Sequence, residues 1–280
     1  MRLARAVFAL GLLLMLVAST VVAPVAAGNG VDITNTSEGR AKIKASAASF
    51  NAQGSSVSEA DLVALKQDDG AILVVRKGYQ VIKTVDGYRT VTPGGTSKSG
   101  SQLQGTSALT AASWSLLGSA CYAALWRGAA HMDACHRRYK MASDGDATKD
   151  YWRIDLYATM FAEGRYLDWG WVAADRDAGP ALSFVDWSPD ADIAQACGSY
   201  GLNITVVGVG GGFTTTFCEL NNISKSAGAT VGWFKDYWDW DGGIAHRDRD
   251  RRVALEVGAS STQGTGTPTW GLSWNFSASD

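Results

Sequence analysis

The stretch Asp150–Glu163, DYWRIDLYATMFAE, decides the fold. Its even positions read Trp152, Ile154, Leu156, Ala158, Met160 and Ala162. Its odd positions read Tyr151, Arg153, Asp155, Tyr157, Thr159 and Phe161. Side chains that alternate in polarity with a period of two lie on opposite faces of an extended chain, so one face is apolar throughout and the other is polar at its start. The aromatic content favours a strand over a helix, and no Gly or Pro interrupts the run. A strand of this length exceeds the usual ~3 to 10 residues, so a bend or a bulge is expected within it.

Similar segments surround it. CYAALWR (121–127) suits a strand that carries a hairpin cysteine, although its Ala and Leu content also allows a helix. HMDACHRRYK (131–140) and RYLDWGWVAAD (165–175) flank the deciding stretch. Pro180 and Pro189 bound a short strand between them. GLNITVVGVGGGFTTTFCEL (201–220) reads as a strand pair or one Gly-interrupted strand, and ATVGWFKDYW, RRVALEVGAS and PTWGLSWNFSA follow. Trp270, Leu272, Trp274 and Phe276 share one face of the last. About eight strands separated by Gly, Asp and Ser turns after residue 114 predict an all-β, antiparallel two-sheet sandwich, with a β-barrel as runner-up.

Residues 1–27 read as a signal peptide: Arg2 and Arg5, an apolar run from Val7 to Val22, and Val25-Ala26-Ala27 before a cleavage expected at Gly28. Its removal would leave 253 of the 280 residues and, with two arginines gone, move the formal net charge from -2 to -4. A weakly acidic chain offers no electrostatic basis for nucleic-acid binding. No other window is long and apolar enough for a membrane span. Residues 28–56 read as a flexible leader, being rich in Ala, Ser, Gly and Asn. Residues 57–93 form a small α+β or β-hairpin region, with Ser58 and Asp61 capping a short helix that carries Leu62 and Leu65, and Asp86-Gly87 as a hairpin turn. Residues 94–113 form a Gly/Ser/Thr-rich linker, and the main domain spans 114–280.

Cys121, Cys135, Cys197 and Cys218 are an even set in an exported chain, which favours two disulfides with three connectivities open. Cys121–Cys135 and Cys197–Cys218 are preferred because each pair brackets one hairpin-like unit. No short Cys-x2-Cys pair supports zinc.

The block HMDACHRRYKMASDGDATKDYWRIDLYATM, with VDWSPDAD and the later Cys197 and Cys218, resembles a group of uncharacterised secreted β-rich proteins of actinobacteria and similar bacteria. The resemblance covers about residues 114–278. It implies export and the cysteine arrangement, and brings no activity or catalytic residue.

Asp144, Asp146, Thr148 and Asp150 place oxygen side chains at alternate positions, a pattern that suits a structural calcium ion. Lys149 stands where an EF-hand has its Gly and Asp155 where it has its Glu, so a solvated loop is the first reading and no cofactor is required. Asp155, Glu163, Asp168, Asp175, Asp177 and Asp186 are candidates for the carboxylate pair of a glycoside hydrolase. Asp155 and Glu163 lie about 27 Å apart at ~3.4 Å per residue, so a working pair must come from different strands. His131, His136 and His246 show no metal spacing and read as partly exposed. HRDRDRR (246–252) reads as a solvated turn.

Trp169 and Trp171, and Trp238 and Trp240 with Asp239 and Asp241, fall two apart. Indole faces beside carboxylates bind sugar rings when they are exposed. The Gly- and Thr-rich run Gly201–Thr216 alternates weakly, as a membrane-inserting hairpin would, though one hairpin cannot close a barrel. These features predict a secreted, non-enzymatic extracellular or envelope-associated structural or interaction protein with a cell-surface glycan or protein partner. A carbohydrate-binding sandwich is the alternative and an extracellular glycoside hydrolase the third reading. The sequence defines no oligomeric state.

Overall fold

The computed structural model describes residues 30–91, 112–176, 181–227, 232–239 and 248–280. In chain order the elements are β1 (Val31–Asp32), α1 (Ser37–Ala52), a 3-10 turn (Glu59–Asp61), β2 (Leu62–Lys66), β3 (Ile72–Arg76), β4 (Val81–Lys83) and β5 (Tyr88–Val91). There follow β6 (Ser113–Arg127), β7 (Ala130–Ala142), β8 (Lys149–Phe161), β9 (Tyr166–Arg176) and β10 (Ser183–Ser188). The last are β11 (Ile193–Val206), β12 (Val209–Ala227), β13 (Gly232–Asp239), β14 (Arg251–Thr262) and β15 (Trp270–Ser279). The first sheet has the order β1-β2-β3-β6-β7-β8-β14-β10 and the second β11-β12-β13-β9-β15-β5-β4. All pairings are antiparallel, and the predicted two-sheet sandwich is what forms, as two open sheets.

The deciding stretch becomes β8, paired along its length with β7 and β14 near the middle of the first sheet. Its even residues Trp152, Ile154, Leu156, Ala158 and Met160 enter the core between the sheets. They meet Phe234, Trp238, Trp270, Leu272, Trp274 and Phe276 of the second sheet. β8 runs against both neighbours without a register shift; of its sheet's strands, β6 bulges between Leu116 and Gly118 and between Cys121 and Ala123, and β10 between Phe184 and Asp186.

The N-terminal third differs from the flexible leader and separate small region read from its composition. Residues 37–52 form α1, with Thr36 Oγ1 accepting from Gly39 N at 3.0 Å. Ile43, Ala47 and Phe50 are spaced to give one apolar stripe, which is enough because a sheet is already there to receive it. Trp126 Nε1 donates to Ser46 Oγ at 3.0 Å, fixing the helix over β6. The Ser58–Asp61 capping box forms as read, but Leu62 and Leu65 belong to β2 rather than to a helix. β3 pairs with β6 and β5 with β15, so residues before the 94–113 segment are built into both sheets. The Asp86-Gly87 turn closes β4 onto β5, with Thr84 N donating to Gly87 O at 2.7 Å. The signal segment and residues 94–111 lie outside the described residues.

Candidate functional site

β11 and β12 form a long hairpin, and its two halves behave differently. Its root belongs to the second sheet, where Asn221–Ala227 of β12 pairs with Gly232–Trp238 of β13. Beyond a register irregularity between Gln195 and Gly198, nine pairs run from Gly198↔Phe217 to Val206↔Val209, and among the described residues no third strand joins them. Val207 and Gly208 make the tip with φ of 49° and 77°. Two positive φ angles define the tight turn whose twist matches the flanking strands.

This distal part has two faces. Leu202, Ile204, Val206 and Thr215 are buried, and Val209, Gly211 and Phe213 of β12 are half-buried beside them. Gly201, Asn203, Thr205, Gly210, Gly212 and Thr214 are all exposed. The apolar face lies across the outer side of the first sheet. Ile204 and Val206 pack with Met141, Tyr151 and Trp114, while Leu202 joins Tyr157, Ala254 and the Cys121–Cys135 disulfide. Glycines make room at two points. A Cβ on Gly258 of β14 would meet Val206 Cγ2 at 2.7 Å, and one on Gly211 would meet Arg153 Nη1 at 2.3 Å. Among the described residues, Thr205 N donates to Asp186 Oδ2 at 2.6 Å and Asn203 N to Ser188 Oγ at 3.3 Å, both on β10.

Under the hairpin the first sheet buries charge. Arg153 Nε lies 2.9 Å from Asp155 Oδ1 and 3.0 Å from Glu256 Oε1, where register places Glu256 opposite Asp155. The guanidinium also sits 3.8 Å from the Tyr139 ring centre. Burial raises the Asp155 carboxyl, opposed by Arg153. Burial and the Asp155 charge push Glu256 up to about 9. Two carboxylates cannot both ionise cheaply beside one guanidinium away from water.

This is the close carboxylate pair that sequence spacing could not reveal, and Glu256 was not among the acids singled out. Both side chains are fully buried, so the pair faces no cleft open to a sugar. Glu163 sits exposed in the β8–β9 turn, and Asp168 and Asp175 lie on β9 with partners of their own. Asp177 lies outside the described residues.

The tryptophan pairs separate. Trp238 is 1% exposed, filling the core between the sheets with the Arg251 guanidinium 5.4 Å from its ring centre, so it is no part of a wet platform. A period of two places alternate residues of β13 on opposite faces, so Tyr237 takes the outer one. Trp169 and Trp171 lie on that same outer face of β9. Trp169 is half-buried, and Trp171 is nearly covered, with Lys235 Nζ 4.4 Å from its ring centre. Asp239 is described only in its backbone, opposite Trp169, and Trp240 and Asp241 fall outside the described residues.

In the β7–β8 loop the oxygens satisfy one another. Asp146 accepts from Thr148 N at 2.8 Å, Thr148 Oγ1 at 2.7 Å and Tyr151 Oη at 2.8 Å, which holds its carboxyl down to about 2. Asp144 accepts from Asp146 N at 3.0 Å. Asp150 pairs with Lys140 at 2.8 Å and accepts from Gly264 N at 3.0 Å. Among the described residues no group of three acidic, His or Cys side chains is placed to hold a metal.

His131 and His136, expected to be partly exposed, are 4% and 1% exposed. His131 stacks between Trp126 and Phe161, and His136 sits against Tyr79 and Tyr122. Burial depresses them to about 4 and about 3. Cys121 and Cys135 form the preferred disulfide between β6 and β7. Cys197 and Cys218 fall on neighbouring strands at the β11–β12 irregularity, with side chains outside the described residues.

No protein-family model matches the chain, and no curated protein matches it. Among solved structures, one titled "Pore forming protein" overlaps with TM-score 0.34 and 8% identity, over 71% of this chain and 91% of that one. The NetB toxin of Clostridium perfringens in its membrane-inserted form overlaps with TM-score 0.29 and 8% identity, over 60% of this chain and 92% of that one. Overlaps this shallow assign neither fold nor activity.

Proposed function

We propose that this is an exported, non-enzymatic protein that acts on membranes, and that the β11–β12 hairpin is the part that enters the bilayer. One observation carries the reading. Nine paired positions alternate weakly between apolar and small or polar residues, and among the described residues their ladder is joined to no third strand. Lifting this segment breaks no sheet, only side-chain contacts and a few anchors to β10. Nine residues match the ~9 to 11 that a tilted strand needs to cross a hydrocarbon core. Leu202, Ile204, Val206, Val209 and Phe213 would face lipid, and Asn203, Thr205, Thr214 with Gly201, Gly210 and Gly212 would line water.

An open two-stranded ribbon leaves unpaired backbone groups in lipid, so several copies must close a barrel. Small barrels have about 8 strands, so about four copies is the least that serves. No helix of the described residues is long and apolar enough to cross a membrane.

The test is release of a self-quenching dye from vesicles, with the hairpin free or locked. Val206→Cys with Gly258→Cys places two thiols where the hairpin touches β14. The expected result is release by the parent protein, none by the oxidised double variant, and recovery on reduction. Absence of release over a range of lipids and pH, with hairpin amides exchanging only on global unfolding, would sink the reading.

A further inference from the structure

The hairpin leaves the second sheet at one end of that sheet, where the backbone register sets two rows of residues across the strands. Asn222, Tyr237, Trp171 and Asn275 stand in one row across β12, β13, β9 and β15. The next row toward the distal hairpin holds Asp239, Trp169 and Ser277. Trp169, Trp171 and Tyr237 thus share the outer face at the level where β12 turns from sheet strand into free hairpin.

Lys235 lies among them, its Nζ 4.4 Å from the Trp171 ring centre and 5.2 Å from that of Tyr237. The β4–β5 turn comes to the same end, since Asn275 Nδ2 donates to Asp86 O at 3.0 Å. Beside Asp86, Val85 is fully exposed, the most open large apolar side chain among the described residues.

Rings with one apolar body and one polar edge, an ammonium group and a bare apolar tip are the chemistry of a membrane–water interface. Position adds a reason independent of composition. A hairpin straightened along β12 would emerge beside this aromatic band, where membrane barrels carry their girdles. The neighbouring charges are Asp86 and Asp168 against Lys235, a small negative excess that an anionic surface would repel. A zwitterionic headgroup layer therefore suits this end better than a strongly anionic one.

We infer that the end of the second sheet bearing Trp169, Trp171, Tyr237 and Val85 docks on the interfacial layer of a zwitterionic phospholipid bilayer, before and apart from hairpin insertion. This rests on the membrane reading above for its biological sense, but its measurement does not.

The experiment is flotation of the oxidised Val206→Cys/Gly258→Cys protein with phosphatidylcholine vesicles, where insertion is blocked and docking is not. The locked protein should float with the vesicles. Adding Trp169→Ala, Tyr237→Ser and Val85→Ser should weaken binding by ~10-fold or more, since each change removes apolar area that would leave water. Leu116→Ser, an exposed apolar residue on β6, should change nothing, and near-UV circular dichroism checks the fold of each variant.

Vesicle binding that is absent, survives the triple change, or falls equally with Leu116→Ser overturns the inference. So does saturable binding to a polysaccharide with vesicles ignored. Docking without dye release by the unlocked protein would leave this surface standing and remove the hairpin reading. Release that is unaffected by the triple change would do the reverse.

Discussion

The two faces of β8 are both buried, yet by different kinds of layer. On the inner face Trp152, Ile154, Leu156, Ala158 and Met160 meet the apolar side of the second sheet. On the outer face Tyr151, Arg153, Asp155, Tyr157 and Thr159 are covered by the hairpin and reached by α1. The inner layer is close-packed hydrocarbon, whose separation exposes apolar area at ~25 cal/mol per Å². The outer layer seats an apolar ribbon partly on an ion cluster, whose desolvation cost offsets much of what the ribbon's burial contributes. On the proposed function, the first face stays closed and the second is the one that opens.

The largest expected effect lies on the inner face. Trp274→Ala, at a fully buried site, should cost ~3 to 5 kcal/mol of global stability in urea unfolding. Leu202→Ala should lose less globally while raising amide exchange in the hairpin alone. Equal global losses would abolish the distinction between the faces.

Next comes the ion cluster. Arg153→Met leaves Asp155 and Glu256 facing each other without their cation. A loss of about 3 kcal/mol is expected, with hairpin exchange accelerated ahead of global unfolding. Replacing all three as Arg153→Met, Asp155→Leu and Glu256→Met should return stability to the parent level or above and slow hairpin opening. Failure of the triple change to recover stability would mean the cluster holds the hairpin down.

A pH series sharpens this. Glu256 is raised from 4.5 to about 9, so between these values the folded state keeps a proton that the unfolded state has lost. Stability from this group is complete below 4.5 and declines as pH rises toward 9, by at most ~1.4 kcal/mol per pH unit. Hairpin opening, followed by hydrogen exchange, should therefore speed up in alkali. Glu256→Gln should flatten the dependence, and an unchanged slope would place the titration elsewhere.

The smallest effect lies under α1. His131 is depressed from 6.5 to about 4, so the unfolded chain takes a proton first as pH falls. About 2 kcal/mol should be lost by pH 5 relative to neutral. Asp133, 3.9 Å away and raised to about 7, works in the opposite sense, and the Lys42 ammonium presses on His131 from the helix. His131→Phe preserves the stacking between Trp126 and Phe161 and should remove the His131 share, read as a smaller fall in Tm from pH 7 to pH 5.

Much of this architecture was legible in the chain because its cause is local. The alternation in 150–163 reports the two faces of β8 correctly, since a period of two needs no knowledge of neighbours. The row Trp270, Leu272, Trp274, Phe276 lies wholly inside for the same reason. Cys121 and Cys135 were paired correctly because one hairpin brings them opposite each other. The alternation of 201–216 pointed to an amphipathic hairpin, but the free status of that hairpin was invisible without the pairing of β12 to β13.

Where the cause is distant, sequence reading failed. The odd-numbered side of β8 reads as polar at its start, and what covers it is not legible there: it is dry because residues some fifty positions later fold over it. Trp238 and Trp169 looked equivalent as platform residues, yet one fills the core and the other stands on the outer face. The 28–56 segment looked too poor in large apolar groups to fold, because α1 borrows its partner surface from β6 and β7.

Sequence alone determined that the chain is all-β, where its main strands run and which residues of a strand go together. Those properties follow from the backbone pleat and from short turns, and each can be read within a dozen residues. Only the tertiary structure decided which faces are covered, that Arg153, Asp155 and Glu256 meet, and that the distal part of the β11–β12 hairpin pairs with no third strand among the described residues. A strand's pattern divides its side chains into two faces, but what lies against each face depends on long-range packing that no local pattern records.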